Sequence, residues 1–226
     1  MDSRLCAAAL RGYLAGMRLI SWNLLHRDGA ELAEVARLIE RLRPDLLLMQ
    51  EVTHAFEALP RLVGGNFYRA PMPGRVHGLG LWLPHPPARP PDVFALPSGA
   101  VVHRICQVVD LGPFTVANVH LSHGQLLNRR QLRHIARRLP AHAAVVGDYN
   151  LVGPTLLPGF RDVGLRRHTH RMSELVPLRL DRCLIRGLVC AGAEVLSRGT
   201  SDHHPIMLRL LRPSEVRQQQ PHARVA

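Results

Sequence analysis

The stretch Ala143-Ala144-Val145-Val146-Gly147-Asp148-Tyr149-Asn150 decides how this chain is read. Four apolar residues run into a glycine, which then delivers two short polar side chains with one residue between them: a buried strand ending in a polar site. On an extended backbone, side chains two apart point to the same side, so Asp148 and Asn150 are expected to face one spot together. A carboxylate and a carboxamide placed so can hold a water and a charged oxygen. Taken singly, Gly-Asp-x-Asn reads more commonly as a strand running into an Asp/Asn turn. The site reading gains because four other apolar strands of this sequence also end in site-type residues.

Working outward, the chain of 226 residues suits one α/β domain with a sizeable core. Hydrophobic residues make up 46% of it, and no apolar run approaches the length of a bilayer-spanning helix. A soluble, cytoplasmic protein is expected, and a monomer. The formal charge of +12 favours polyanionic partners such as nucleic acid or anionic lipid. All 29 basic residues are Arg, a bias that a GC-rich genome produces without functional cause, so the charge supports a phosphate-bearing partner only weakly. Cys6, Cys106, Cys183 and Cys190 contain no Cys-x-x-Cys pair and read as reduced thiols. The pairs His120/His123 and His168/His170 lack the thiolates or helical His-Glu-x-x-His that would make a structural zinc site.

Residues 1–16 form a leader in which Arg11 interrupts the apolar run before a signal-type core develops; it reads as a short appended helix or an over-long start. Leu19 to Asn23 reads as a strand. Asp28-Gly-Ala-Glu31 has capping-box spacing, the apolar residues from Leu32 to Leu42 recur at helical intervals, and Pro44 closes the segment. Leu46 to Met49 is a second buried strand, ending at Gln50-Glu51. Gly78 to Leu83 and Val101 to Val109 are further strands, separated by a surface loop, Pro84 to Pro91. A second strand, helix, strand unit follows: Phe114 to Leu121, Gln125 to Leu139, then Val145-Val146. On its helix Arg129, Arg130, Arg133, Arg137 and Arg138 read as a solvated face. Leu178 to Ile185 is a strand carrying Asp181, Ala193 to Leu196 is another, and Ser201-Asp202-His203-His204-Pro205 precedes the last, Ile206 to Leu210. Arg166 to Arg171 mixes Arg and His and suits a polyanion. Residues 213–226 read as a disordered tail. In open α/β sheets ligands gather beyond the carboxyl ends of strands, so Asn23 and Glu51, at equivalent strand ends of the first unit, are placed to share a crevice.

Trp22-Asn23, Gln50-Glu51, Asn118-Val-His120-Leu, Gly147-Asp-Tyr-Asn150, Arg179-Leu-Asp181 and Ser201-Asp-His-His-Pro205 resemble, in order, the motif set of the endonuclease/exonuclease/phosphatase superfamily, with its deoxyribonuclease I-like fold. The resemblance covers residues 17–212. It implies an α/β (α+β) fold, a four-layer α/β/β/α sandwich of two mixed β-sheets packed face to face with helices outside. It also implies a phosphoesterase dependent on Mg²⁺ or Mn²⁺, with Asn23, Glu51 and Asp202 as metal ligands whose hard oxygens suit such ions. By the same resemblance Asp148 and Asn150 orient and activate the attacking water. His203, oriented by Asp181, stabilises charge on the phosphate, and His120 protonates or stabilises the leaving group. His54, His77 and His204 match no motif position and are assigned to loops or supporting roles.

Two departures narrow the substrate. Leu24-Leu25 follows Asn23 where abasic-site enzymes typically carry another Asp, and Val52-Thr53 follows Glu51 in place of their Thr-Lys, so the abasic-site branch is disfavoured. The expected activity is a nuclease-like phosphodiesterase, with nucleic acid favoured over lipid as substrate. The alternatives are a sphingomyelinase-like phospholipid or inositol-phosphate phosphoesterase, and an inactive binding domain of the same fold.

Overall fold

The two strand, helix, strand units lie at the centres of two six-stranded sheets. The computed structural model describes residues 16–99, 103–172 and 176–218, so the leader, Gly16 aside, lies outside the described residues. In chain order the strands are β1 (Met17–Asn23), β2 (Leu46–Val52), β3 (Asn66–Pro71), β4 (Gly78–Leu83), β5 (Asp92–Ala95), β6 (Ile105–Asp110) and β7 (Thr115–His120). They continue as β8 (Ala143–Asp148), β9 (Arg161–Asp162), β10 (His170–Met172), β11 (Val176–Leu178), β12 (Asp181–Arg186), β13 (Val189–Val195) and β14 (Ile206–Leu211). The helices are α1 (Leu32–Leu42), α2 (Leu59–Val63), α3 (Gln125–Ala136) and α4 (Pro213–Gln218).

The first sheet has the order β13-β14-β1-β2-β4-β3 and the second β5-β6-β7-β8-β12-β9, while β10 and β11 form a small hairpin. In each large sheet one pair is parallel, β1 with β2 and β7 with β8, and the other neighbours are antiparallel. The sandwich of two mixed sheets is therefore as expected.

Side-chain alternation explains why the central strands are apolar over most of their length. On β1 and β2, Leu19, Leu46 and Leu48 face Val116, Ala144, Val146 and Ile185 of the other sheet, in the core between the sheets. The intervening Ile20, Leu47 and Met49 face outward onto Val35, Leu38 and Ile39 of α1. Ala117, Val119 and Val145 likewise meet Leu132 and Ile135 of α3. A strand covered on both faces reads as a near-continuous apolar run, and truncating one such leucine to Ala costs about 2–5 kcal/mol.

Several local expectations are corrected. The Asp28/Glu31 capping box does not form: Glu31 is itself the N-cap residue of α1 and makes no side-chain cap bond. α1 ends on Arg43, in the left-handed region at φ 43°, whose N–H bonds Ile39 O, ahead of Pro44. The stretch Leu178 to Ile185 is divided between β11 and β12, because Leu180 and Asp181 donate their backbone N–H groups to Thr169 Oγ1. The tail opens with α4, Pro at its first position and Arg212 N–H on Glu215 Oε2 at 2.6 Å; residues 219–226 lie outside the described residues.

The sheets are also joined through buried polar groups. Gln50 Nε2 donates to Asn118 Oδ1 (2.8 Å), and Asn118 Nδ2 donates to Gly80 O (3.0 Å) and Met49 O (3.2 Å). Both side chains are fully buried. Gln50 and Asn118, read in the sequence as parts of motifs, are thus the cross-link beneath the site.

Candidate active site

Four strand ends converge because the register brings them level. Asn23 stands opposite Gln50 in the β1/β2 pair, one residue short of Glu51, and His120 stands opposite Asp148 in the β7/β8 pair. Each of these parallel strands also has an antiparallel neighbour that begins where it ends. Asp181, the first residue of β12, faces Asp148; Gly78, the first of β4, faces Val52. Cys106 faces Val119, which sets Arg104 just beyond His120, and Ile206 faces Ser21, which sets Asp202 and His203 beyond the end of β1. Asn23, Glu51, His120, Asp148, Asn150, Asp202 and His203 line one cleft of about 250 Å³. Asp181 is buried behind His203 and does not line it.

Local backbone aims these groups. Glu51 sits at a bulge where β2 loses register with β4, at φ 59°; Asn150 has φ 48° and Leu25 φ 52°. Three non-glycine residues in the left-handed region at one cleft cost roughly 1–3 kcal/mol each, as strained functional sites commonly do. Asn150 is accordingly not on the extended backbone first expected: β8 stops at Asp148, and the Asn150 N–H bonds Asp148 Oδ1 at 2.9 Å in an Asx turn. The motif is an Asp/Asn turn, and both of its polar side chains line the cleft. Gly147 is required, because at φ 144° an added Cβ would lie 2.0 Å from Val119 O. Tyr149 points away into the core, its hydroxyl donating to Val145 O.

Asp148 Oδ2 is the hub. It accepts from Asn23 Nδ2 at 3.0 Å, with His120 Nε2 at 3.5 Å and His203 Nε2 at 3.8 Å. Burial raises the proton affinity of Asp148 above the ordinary carboxylate value, although His203 and the bonds from Asn150 and Asn23 act against that. Burial also pulls His203 downward, but the carboxylates of Asp181, Asp148 and Asp202 together hold it up at about 10, so its ring is an imidazolium at neutral pH. Its Nδ1 bonds Asp181 Oδ2 at 2.8 Å. His120 is pushed well below the usual imidazole range by burial, with Arg104 adding to the effect, and is neutral. The 200–205 loop is fastened to β1 by Ser201 Oγ donating to Asn23 O (2.7 Å) and Trp22 Nε1 donating to His203 O (3.0 Å).

The opposite corner is organised differently. Glu51 Oε2 accepts from the His26 N–H (3.2 Å) and lies 2.5 Å from His26 Nδ1, and the His26 ring stacks on His77 at 4.2 Å. Burial alone would raise Glu51, but the His26 bonds and the nearby His77 outweigh it and lower its pKa. One ligand atom from each of His26, Glu51 and His77 lies within 4.8 Å of the others. The corner fits a divalent cation: an ionised carboxylate, two imidazoles, and a buried His77 Nδ1 with no hydrogen-bond partner. Asp202 lines the same cleft as Glu51, and its carboxylate also lies within 4.8 Å of ligand atoms of His170 and His203.

The sequence reading missed Arg75 and Arg104, which line the cleft, and His26; it placed His77 outside the site, whereas His77 lines the cleft too. Arg104 is 7% exposed, and among the described residues no carboxylate is bonded to it, its Nε has no partner and its Nη1 faces Met72 Sδ at 3.9 Å. Their signal was positional: His77 and Arg104 immediately precede strands antiparallel to β2 and β7, and so lie beside the ends already identified. His204 donates its N–H to Thr169 O and lies outside the cleft lining, and His54 is exposed beside Glu57 at the start of a short 3-10 helix, His54–Ala58.

The sequence profile of the Endonuclease/Exonuclease/phosphatase family matches residues 20–203. The chain belongs to that family. Its members are phosphoesterases and generally depend on a divalent metal, and the chain is accordingly a hydrolase of phosphate esters. No curated protein matches the sequence. Among solved structures, an endonuclease/exonuclease/phosphatase from Bacteroides vulgatus superposes with TM-score 0.73 at 18% identity, over 87% of this chain and 98% of that one. Truncated Caenorhabditis elegans TDP2 gives TM-score 0.69 at 18% identity, over 90% and 99%. D. rerio TDP2 complexed with a single-strand DNA product gives 0.66 at 19% identity, over 87% and 99%. At these identities the likeness carries the family fold. Among the described residues no helix is long and apolar enough to cross a membrane.

Proposed function

We propose that this family member is a phosphodiesterase acting on nucleic acid through a water activated by Asp148. The observation that carries the reading is the Asp148 hub, a carboxylate of raised proton affinity set between the His120 and His203 rings in one cleft. Asp148 takes the proton of the attacking water, and Asn150, its amide fixed by donation to Leu121 O at 3.0 Å, orients that water. His203, kept protonated by Asp181, neutralises the charge that grows on the phosphoryl oxygens. His120, a neutral ring, hydrogen-bonds the leaving oxygen. Arg104 binds a non-bridging oxygen, since a guanidinium this buried calls for an anion. Glu51, with Asn23 and Asp202 as further oxygen donors lining the same cleft, would hold a divalent cation, which would supply phosphate neutralisation and leaving-group stabilisation.

Nucleic acid is favoured over lipid because the cationic lining continues beyond the cleft. The His170 ring packs against His203 at 4.3 Å and opens a second groove lined by Arg166, Arg167 and His168. A sugar-phosphate strand running from the cleft meets this groove with successive phosphates. The test is hydrolysis of single-stranded DNA, duplex DNA, RNA and phospholipid vesicles in parallel, with divalent metal and then with chelator. Chelator-sensitive cleavage of a nucleic acid, lost in Asp148→Ala and His203→Ala, is the expected result. Cleavage of phospholipid alone replaces the substrate, and hydrolysis surviving both substitutions overturns the mechanism.

A further inference from the structure

We infer that the Glu51 corner is a mixed imidazole and carboxylate site, formed by His26, Glu51 and His77, that takes a transition-metal dication in preference to Mg²⁺. The inference rests on the reading that Glu51 holds the metal and deepens it by naming the ion class and two further ligands.

The donor chemistry decides the class. Mg²⁺ seeks near-octahedral oxygen and retains its waters, whereas imidazole nitrogen suits Zn²⁺, Fe²⁺ and Ni²⁺. One carboxylate and two imidazoles whose ligand atoms lie within 4.8 Å of one another make the donor count of a catalytic site that keeps a position open for water or substrate. The open side is defined, because Glu51 and His77 line the cleft that also holds Asp148.

The corner is also built, in that each side chain is held by something other than chance. Glu51 is turned inward by the β2 bulge at φ 59°, and the His26 backbone N–H fixes its carboxylate. The His26 and His77 rings brace one another at 4.2 Å. His77, 9% exposed, carries a buried Nδ1 with no hydrogen-bond partner among the described residues, a cost that ligation through that nitrogen would remove. His26 Nδ1 and Glu51 Oε2, at 2.5 Å, are closer than two ligands of one ion; at right angles around an ion they sit about 2.9 Å apart, so binding parts them by roughly half an ångström.

The experiment uses the full chain stripped with chelator and titrated separately with Co²⁺, Zn²⁺ and Mg²⁺, following heat of binding and the visible absorption of Co²⁺. Any nitrogen and oxygen site follows the general affinity order, so the ratio of wild-type affinities does not decide; the His variants do. His77→Gln and His26→Ala, each confirmed folded by its thermal melt, are expected to weaken Co²⁺ and Zn²⁺ at least roughly tenfold, to alter the Co²⁺ spectrum, and to leave Mg²⁺ within about twofold. If both variants bind Co²⁺ with unchanged affinity and spectrum while Glu51→Gln abolishes metal-dependent hydrolysis, the imidazole ligation is overturned and the function reading stands. If Glu51→Gln changes neither metal binding nor hydrolysis, the metal role of Glu51 is itself overturned.

Discussion

The two strand, helix, strand halves have the same layout and opposite electrostatics. Both end a parallel strand pair in a carboxylate, Glu51 on β2 and Asp148 on β8. Asp148 is 1% exposed and its proton affinity is raised, whereas the Glu51 side chain is 16% exposed, bonded by His26, and lowered. One scaffold thus gives the same functional group opposite shifts in proton affinity, the division on which the proposed mechanism rests. Depth and the neighbouring donors decide which.

The largest expected effect tests this division directly. Asp148→Asn should lower the hydrolysis rate by roughly 10²–10⁴-fold, the range for losing a general base, while calorimetry shows divalent binding intact. Glu51→Gln should show the complement, with metal binding lost as well as rate. If both variants lose metal alike, the halves do not divide the work.

Next in size is Asp181→Asn, which keeps the shape of the His203 partner and removes its charge. The wild-type pH profile should fall on the acid side as Asp148 protonates, at a pH above the ordinary carboxylate value, because its pKa is raised. It should fall on the alkaline side as His203 loses its proton near 10. Asp181→Asn should reduce the rate by about 10–100-fold and move the alkaline limb downward. An unmoved limb would assign that titration to another group.

The link between the halves is the next target. Asn118→Ala leaves Gln50 Nε2 and the Gly80 and Met49 carbonyls without their buried partner. A loss of about 1–3 kcal/mol in denaturant unfolding is expected, with the Asp148 and Glu51 ends uncoupled to the extent that activity falls faster than stability. The smallest effect is expected at Arg130, which is exposed on α3: Arg130→Gln should change stability by no more than about 0.5 kcal/mol, measured the same way.

Much of the site was legible because its residues end apolar runs. Asn23, Glu51, His120 and Asp148 follow segments whose hydrophobicity identifies a strand, and strand ends are local information. The helices were equally legible in position, yet Asp28 and Glu31 show the limit: the spacing of a capping box was present, and the cap bond was not. The Asp148 to Asn150 turn was open between two readings until Asn150 was found at positive φ.

The sequence by itself determined the two halves, the alternation that buries both faces of their central strands, and the family to which the chain belongs. These follow from short-range period and motif order. Tertiary structure alone decided which other residues meet them. His26 reaches Glu51 because a loop folds back over β2, and His77 and Arg104 reach the cleft because β4 and β6 begin beside the ends of β2 and β7. That register joins segments remote in sequence, and no local pattern carries it. The protonation of the site belongs with the same group, since Asp148, His120 and His203 owe their shifts to burial and to charges supplied by other strands.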